Sequence, residues 1–448
     1  MSTILEIFNT FLKSSGVSID SRTVEKDNIF FAISGDNFDG HDYIGNALES
    51  GAIAAVIDNP SYQNFSELFA KRDLSPPIFC VTDTINTLQQ LARMYRDTFQ
   101  IPVLGITGSN GKTTTKELIA KVISKKYQVH STKGNLNNHL GVPLTLLAMP
   151  IDTQVAIIEM GANHLGEIAD LCMIADPNVG LITNIGKAHI GEFGSFENIV
   201  QTKQALFSHV MENANGTILV NIEDDQLNDI WAKESENVLT YSTHEIMFNQ
   251  SEETKITLRF KEMNLRNRVI IQGNTGTYNL ESKLYGRYNQ INIAAAIACG
   301  AYWSIPVKEI ADAIEEYIPQ NKRSQVLEID TNTILLDTYN ANPDSMKAAV
   351  DEMVQLNSAH KVLILGDMLE LGIYAEDEHQ RLLDLVLQQD FNEIYLVGQE
   401  FPLEKGCKYY PDWQSLKQKL DFTKYHQTAF LIKGSRSIAL ENLVSDFL

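Results

Sequence analysis

Basic residues are scarce in this chain. Its 448 residues include 57 aspartates and glutamates but only 36 lysines and arginines, a formal charge of −21. That balance argues against a nucleic-acid groove, which is usually lined by a basic patch. An anionic small molecule stays possible, because it needs only a local cluster of donors. Cysteine is scarcer still: Cys80, Cys172, Cys299 and Cys407 are scattered, with no CxxC pair. This argues against a disulfide framework or a zinc site and fits a reducing compartment. Long apolar runs are missing too; none reaches the roughly 18 residues of a membrane span. The N-terminal stretch MSTILEIFNTFLKSSGV has no basic segment and carries Glu6 within its apolar part, so it does not read as a signal peptide. Ile4, Leu5, Phe8, Phe11 and Leu12 recur there at helical spacing and predict an amphipathic helix. Repeats and low-complexity tracts are absent. A cytoplasmic protein is expected.

What is present belongs to an ordinary globular protein, 44% hydrophobic and 21% charged. The length allows roughly two to four domains. Up to about residue 100 the chain has short strands near Asn28–Ile33 and Ala52–Ile57, then a helical pattern from Ile85 to Phe99, and Gln-Ile-Pro reads as a boundary. From residue 101, strands at Val103–Thr107, Gln154–Ile158, Gly180–Asn184 and Thr217–Asn221 alternate with helices, which implies a mostly parallel sheet. Leu118, Ile119, Val122 and Ile123 give the first of these helices its buried face. Ile256–Tyr285 alternates in polarity and predicts a small antiparallel excursion. Near Pro319 the alternation resumes, with strands at Thr333–Asp337, Val362–Leu365, Ile394–Val397 and Ala429–Ile432 and a helix at Asp344–Gln355. The expected fold is α/β with three domains, residues 1–100, 101–318 and 319–448. The central one is a P-loop-type sheet, the first small and the last Rossmann-like.

One stretch carries chemistry openly: GITGSNGKTTTKELIA, Gly105 to Ala120. A phosphate loop has Gly, four residues, then Gly-Lys-Ser/Thr. Here Ile106 stands five before Gly111, and the glycines fall at Gly105 and Gly108 instead. The strand–loop–helix setting still converges backbone N–H groups and a helix N-terminus on one point, which favours phosphate. Gly108, Ser109, Asn110, Gly111, Lys112, Thr113 and Thr114 form this cradle. Lys112 has the reach for the β- and γ-phosphates, and the Thr113 hydroxyl is a ligand type for Mg²⁺. The alternative is a glycine-rich turn capped by threonines. Glu159 ends an apolar strand, at the carboxyl end where ligands of parallel sheets sit; it reads equally well as a ligand to the same Mg²⁺ and as a strand-end surface charge. His189 follows another strand, and Lys203, in ENIVQTKQALF, by itself reads as a solvated lysine.

Taken together, TGSNGKTTTKE, KGNLNNHLGVPLTLL, EMGANHLGEI, TNIGKAHIGEFGS, GRYNQINIAAAIA, LLDTYNANPDSM, LGDMLELG and LIKGSRSI occur in the order expected of the Mur ligases, from about Asp20 to the end. The chain resembles that family, whose loop has the form GxTGxxGKT and so accounts for the displaced glycine. The resemblance implies ATP-dependent amide formation through an acyl phosphate. It implies small-molecule substrates, a UDP-N-acetylmuramoyl-tripeptide and D-alanyl-D-alanine, with no nucleic acid, and a monomer is expected. Lys112 would stabilise the transferred charge, Thr113 and Glu159 would hold one Mg²⁺, and His189 would help hold a second. Lys203 falls where the family carries a carbamylated lysine, an anionic oxygen ligand suited to a hard cation. Asn289 and Asn292 match adenine-side asparagines, although Asn289 also reads as a helix N-cap. Arg323 and Asp337 match positions that close over the nucleotide, Asp337 towards the ribose; NKRSQVLEI lacks the Gly-Arg pair usual there.

The first domain resembles a UDP-binding domain, with Ser21 and Arg22 as donors or, more plainly, as an exposed turn and a surface ion pair. Asn135 and Asn138 would line the channel between the UDP-sugar and ATP, or be ordinary loop residues. Asn340 and Asn342 would face the dipeptide or the phosphates, with Asp344 and Ser345 starting the next helix after Pro343. Other readings are a related ligase, either one adding the third residue or a folylpolyglutamate synthetase, and a P-loop regulatory NTPase. For a GTPase the NKxD motif is missing: Asn321-Lys322 is followed by Arg323-Ser324.

Overall fold

The computed structural model describes residues 2–35, 38–59, 76–231, 237–248, 255–263, 265–273, 276–319 and 323–447. Asn321 and Lys322 lie outside the described residues, as do 264, 274 and 275 within the predicted antiparallel excursion. The described chain forms two compact units. One comprises Met1–Gly105, Tyr127–Ala162 and Gly166–Val179, and the other Ile106–Lys126, Asn163–Leu165 and Gly180–Leu448.

In the first unit, four short parallel strands lie in the order Gly16–Ser18, Asn28–Phe31, Ala54–Ile57 and Ile78–Cys80. Asn28–Phe31 and Ala54–Ile57 are buried throughout, as expected of parallel strands covered on both faces. The N-terminal helix spans Ile4–Phe11 and is opened by a capping box between Thr3 and Glu6. Its inner face is built on Ile7 and Phe11, while Leu5 and Leu12 are exposed. The predicted helix is present, with Phe11 buried and Ile4 and Phe8 half-buried; Ile7 joins this face, four residues before Phe11, and Phe11 meets Tyr95 edge-on at 5.0 Å. Tyr95 belongs to the helix Thr84–Asp97. Val129–Ser131 and Val155–Glu159 pair in parallel in the same unit.

In the second unit, strands follow the order Gly276–Ser282, Arg266–Gly273, Ile256–Met263, Glu245–Phe248, Val238–Tyr241, Thr217–Asn221 and Val179–Ile182. The three strands between 256 and 282 are antiparallel, as their alternation requires. A second sheet of this unit has six strands, ordered Gln325–Ile329, Asn332–Asp337, Thr428–Lys433, His360–Gly366, Glu393–Val397 and Cys407–Tyr410. All its neighbours are parallel except the first pair. Its core includes Ile334, Leu336, Ile364, Val397, Phe430 and Ile432. Most strands run one or two residues beyond or short of the predicted limits, since the hydrogen-bonded ladder, not the apolar run, decides where a strand ends. Leu118, Ile119, Val122 and Ile123 are fully buried, as expected. All four cysteines are free thiols. Among the described residues no helix is long and apolar enough to cross a membrane.

Candidate active site

The phosphate loop leaves the strand Val103–Thr107 and enters the helix Lys112–Ile123. Its shape depends on two glycines at positive φ, where side chains are strained. Gly108 has φ +144°, and a Cβ there would lie 1.9 Å from Thr183 Oγ1; Gly111 has φ +79°, and its Cβ would meet Asn292 Oδ1 at 2.6 Å. Gly108 is thus required where a generic phosphate loop has another residue, because the Thr183 hydroxyl occupies the space. Thr183 Oγ1 in turn donates to Asn110 O at 2.6 Å. The segment after Ile182 grips the loop further: Asn184 Oδ1 accepts from Asn110 N at 3.0 Å, and Ser109 Oγ donates to Gly186 O at 2.8 Å. Neither Thr183 nor Asn184 stood out in the sequence. Their signal was only their place at a strand's carboxyl end.

Lys112 folds back over its own loop, with Nζ donating to Gly108 O at 2.7 Å and Ser109 O at 3.3 Å. It is partly exposed and thus placed to exchange these carbonyls for phosphate oxygens. Thr113 and Thr114 are buried at the helix start. Behind the loop a chain of amides runs inward. Thr115 Oγ1 donates to Asn292 Oδ1 at 3.1 Å, Asn292 Nδ2 to Asn289 Oδ1 at 2.8 Å, and Asn289 Nδ2 to Tyr285 O at 2.6 Å. Asn289 stands at the N-cap position of the helix Gln290–Tyr302, yet makes no capping hydrogen bond. The capping alternative is thereby corrected: the amide turns inward to the Tyr285 carbonyl and Asn292.

Lys203 lies in the helix Phe196–Glu212 and is 2% exposed, so it is no solvated lysine. Its ammonium position sits 5.7 Å from the centre of the Phe193 ring, and no hydrogen bond or ion pair reaches it among the described residues. Burial, and then the positive charge of Lys112, push its amine well below the usual lysine range. His189 has a left-handed backbone, φ +57°, at the head of the short helix Ile190–Phe193. Its Nδ1 is 2.7 Å from Glu370 Oε2 and 3.6 Å from Glu192 Oε2. The contact with His189 holds Glu370 below the ordinary carboxylate range.

In the first unit, Glu159 closes its strand and is 1% exposed, which removes the surface-charge alternative. Asn137 Nδ2 donates to its Oε1 at 2.9 Å. Of the KGNLNN asparagines, it is therefore Asn137 that reaches this carboxylate. Asn135 is exposed, and Asn138 Oδ1 accepts from Leu140 N and Gly141 N at the start of the helix Gly141–Leu147. Asn138 also lines a cleft of about 400 Å³ with Gln89, Arg93 and Asp170. Ser21 opens a single helical turn capped by Asp20, and Arg22 pairs with Asp20 at 2.6 Å while 86% exposed. That pairing lowers the Asp20 carboxyl to about 2.

At the carboxyl ends of the six-stranded sheet, Asp337 and Lys433 are partners in register across neighbouring strands. Lys433, 2% exposed, reaches Asp337 Oδ2 at 2.5 Å and Asn340 O at 3.2 Å. Arg323 stacks on the Tyr339 ring at 3.5 Å, with Arg436 5.2 Å from the same ring. The exposed Asn340 turns its Oδ1 to the Ala341 N–H, whereas Asn342 caps the helix Pro343–Gln355 through Ser345 N. Asn342 Nδ2 also donates to Asn110 Oδ1 at 2.7 Å, joining this sheet to the phosphate loop. Tyr339, Lys433 and Arg436 lay in recognisable stretches without having been singled out.

The second unit supplies the Thr113 hydroxyl, the His189 imidazole and the buried Lys203 amine, which meets no anion among the described residues, and the first unit supplies the Glu159 carboxylate. Hydroxyl and carboxylate oxygens suit a hard divalent cation, and the amine suits conversion into an anionic oxygen ligand. The set fits Mg²⁺.

Comparison with known proteins follows the same residues. Models of the Mur ligase family, catalytic domain (residues 13–96), the Mur ligase middle domain (106–300) and the Mur ligase, glutamate ligase domain (322–436) match the chain. It is 32% identical to the UDP-N-acetylmuramoyl-tripeptide–D-alanyl-D-alanine ligase of Bacillus subtilis, over 97% of this chain and 93% of that one. Among solved structures it resembles MurF from Acinetobacter baumannii (TM-score 0.81, 28% identity, covering 96% of this chain and 92% of that one). It is similar too to the MurF ligase of Thermotoga maritima in complex with ADP (TM-score 0.81, 25% identity, 100% and 98% covered).

Proposed function

The chain belongs to the Mur ligase family, and from that premise we propose that it is an ATP-dependent ligase joining D-alanyl-D-alanine to UDP-N-acetylmuramoyl-tripeptide. The products are the muramoyl pentapeptide precursor, ADP and phosphate. The observation that carries this reading is likeness along nearly the whole chain to ligases of that name, together with a phosphate loop whose glycine spacing is enforced by Thr183. A generic P-loop switch has no use for a first domain of the Mur type, and folylpolyglutamate synthase shares only the fold at 14% identity.

In this reading the tripeptide carboxylate attacks the γ-phosphorus of ATP, ADP leaves, and an acyl phosphate forms. The dipeptide amine then attacks the acyl carbon, and phosphate departs with the bonding pair as the amine gives up its proton. The chain contributes position and charge, the main resources in phosphoryl transfer. The backbone of Gly108, Ser109, Asn110, Gly111 and Thr114 cradles phosphate at a helix N-terminus. Lys112 leaves its loop carbonyls to neutralise the transferred group. Asn289 and Asn292 border the adenine side, and Asp337 and Arg323 approach from the third domain, Asp337 towards the ribose. Ser21 and Arg22 are assigned to the uridine diphosphate end, Asn135 and Asn138 to the channel, and Asn340 and Asn342 to the dipeptide side. The domain limits that go with these roles are 1–100, 101–318 and 319–448.

A carbamylated Lys203 is assigned as a further metal ligand and His189 to a second Mg²⁺, with Thr113 and Glu159 holding the first. Bound there, the ion would offset the negative charge shared by the β- and γ-phosphates. Carbamylation is supported by the buried Lys203 amine: burial and the Lys112 charge favour the neutral form, which is the form that adds CO₂, and the product is an anionic oxygen ligand.

The test is direct. Purified protein is mixed with Mg-ATP, UDP-muramoyl tripeptide and D-alanyl-D-alanine, and phosphate release is followed. Release that requires both organic substrates is expected; release indifferent to either one overturns the assignment.

A further inference from the structure

The GDMLELG stretch has no role in the reading above, yet it lies against the loop that carries His189. Gly191 N donates to Glu370 O at 3.2 Å, and Tyr374 Oη donates to Gly194 O at 3.2 Å. The two loops meet glycine to glycine: a Cβ on Gly191 would lie 2.5 Å from Gly372 N and 2.5 Å from the Leu371 carbonyl carbon. Lys187 extends the seam, its N–H donating to Asp344 Oδ2 at 2.7 Å and its Nζ pairing with Glu378 at 2.9 Å. Inside it, Glu370 Oε2 stands 2.7 Å from His189 Nδ1. Both residues hold left-handed backbones, φ +57° at His189 and φ +66° at Glu370. Such strain costs about 1 kcal/mol or more per residue and persists where surrounding structure demands it.

We infer that Glu370 is the positioning residue of His189: docking of the 366–374 loop on the 186–194 loop brings a carboxylate to Nδ1 and so commits Nε2 to the metal. A ligating histidine ordinarily gives its other ring N–H to a carboxylate, which fixes the tautomer and makes the ligand more basic. At 2.7 Å the oxygen approaches Nδ1 without completing a hydrogen bond to it among the described residues. Contacts of this kind tighten when the ligand arrives, because a cation on Nε2 makes the Nδ1 proton a stronger donor. Metal binding is thereby tied to seating of the loop, since Glu370 arrives from a segment some 180 residues away in sequence, 189 against 370.

This inference rests on the assignment of His189 as a metal ligand, and the experiment separates the two. Mn²⁺ binding to the full-length protein is titrated by EPR with a non-hydrolysable ATP analogue present, for wild type, His189→Ala, Glu370→Asn, Glu370→Gln and Gly191→Ala. Asparagine tolerates the left-handed backbone but is too short to reach the ring, whereas glutamine keeps reach and an acceptor. Glu370→Asn and Gly191→Ala are expected to weaken the more weakly held Mn²⁺ roughly 10- to 100-fold, as loss of an outer-shell partner does. Glu370→Gln should fall between them and wild type. Ring ¹⁵N shifts of His189 should lose the Nδ1–H tautomer in Glu370→Asn and keep it in Glu370→Gln. If His189→Ala leaves Mn²⁺ binding unchanged, the ligand assignment fails. If His189→Ala weakens it while Glu370→Asn stays within twofold of wild type with the tautomer unchanged, the positioning role is overturned. Glu370→Gln carries the tautomer test on its own should Glu370→Asn fail to fold.

Discussion

Asn342 Nδ2 donates to Asn110 Oδ1 at 2.7 Å, so the cap of one helix is joined to the tip of the phosphate loop. The same Asn342 caps the helix Pro343–Gln355 through its Oδ1. One side chain therefore stabilises a helix terminus and orders the loop that holds phosphate.

The two duties separate by substitution. Asn342→Ala should lose about 1 kcal/mol of cap stability and a further few-fold in ADP affinity. Asn342→Ser keeps a capping oxygen but cannot reach Asn110. It should melt close to wild type while binding ADP as weakly as Asn342→Ala. Differential scanning calorimetry and ADP titration read the two effects; equal ADP affinity in wild type and Asn342→Ser would break the proposed link.

Gly108 offers a test of the loop's spacing. Gly108→Ala pushes a methyl against Thr183 Oγ1, the group that holds the Asn110 carbonyl. It should destabilise the protein by roughly 1–3 kcal/mol and weaken ADP binding at least tenfold. Gly406→Ala, at φ +95° with open space around it, bears backbone strain without a clash. It should leave ADP binding unchanged.

Lys203 is buried beside Lys112, and burial and then that charge push its amine well below the usual lysine range. Enzyme prepared in CO₂-free buffer should lose most of its ligase activity and regain it on adding bicarbonate. Lys203→Ala should be inactive with or without bicarbonate and partly rescued by short-chain carboxylates. Near-wild-type turnover of that variant would end the metal-ligand role.

His130 gives the pH dependence a sign. Burial lowers its pKa below 6.5, while its ring hydrogen-bonds to Thr145 O at 2.7 Å. Between the lowered native value and about 6.5 the unfolded chain binds more protons than the native one. The stability is present in full above about pH 6.5 and is lost as pH falls through the native value. The loss amounts to about 1.4 kcal/mol for each unit by which the two values differ. Urea melts from pH 7.5 to 5 should show this slope in wild type and a flatter one in His130→Gln; matching slopes would place the titration elsewhere.

Element types were largely readable, because continuous apolar runs such as Val155–Ile158 mark strands buried on both faces and helical stripes such as Leu118–Ile123 record which side is buried. The N-terminal helix was legible but its covered side only in part: Ile4, Phe8 and Phe11 turn inward while Leu5 and Leu12 stay exposed, because apolar spacing does not reveal which neighbour covers a helix, here Tyr95, far along the chain. Lys203 looked solvated for the same reason. Nothing in ENIVQTKQALF tells that its polar turn faces inward.

The sequence by itself determined the family, the order of motifs and the phosphate loop, because these are local and ordered along the chain. Tertiary structure alone decided why Gly108 is glycine, since Thr183 lies 75 residues away in sequence. It alone brought Asn137 to Glu159, Lys433 to Asp337 and Glu370 to His189. Each of those is a meeting of a charged or polar group with a distant partner. Burial makes such a group costly without a partner, but it leaves the partner's identity to the fold.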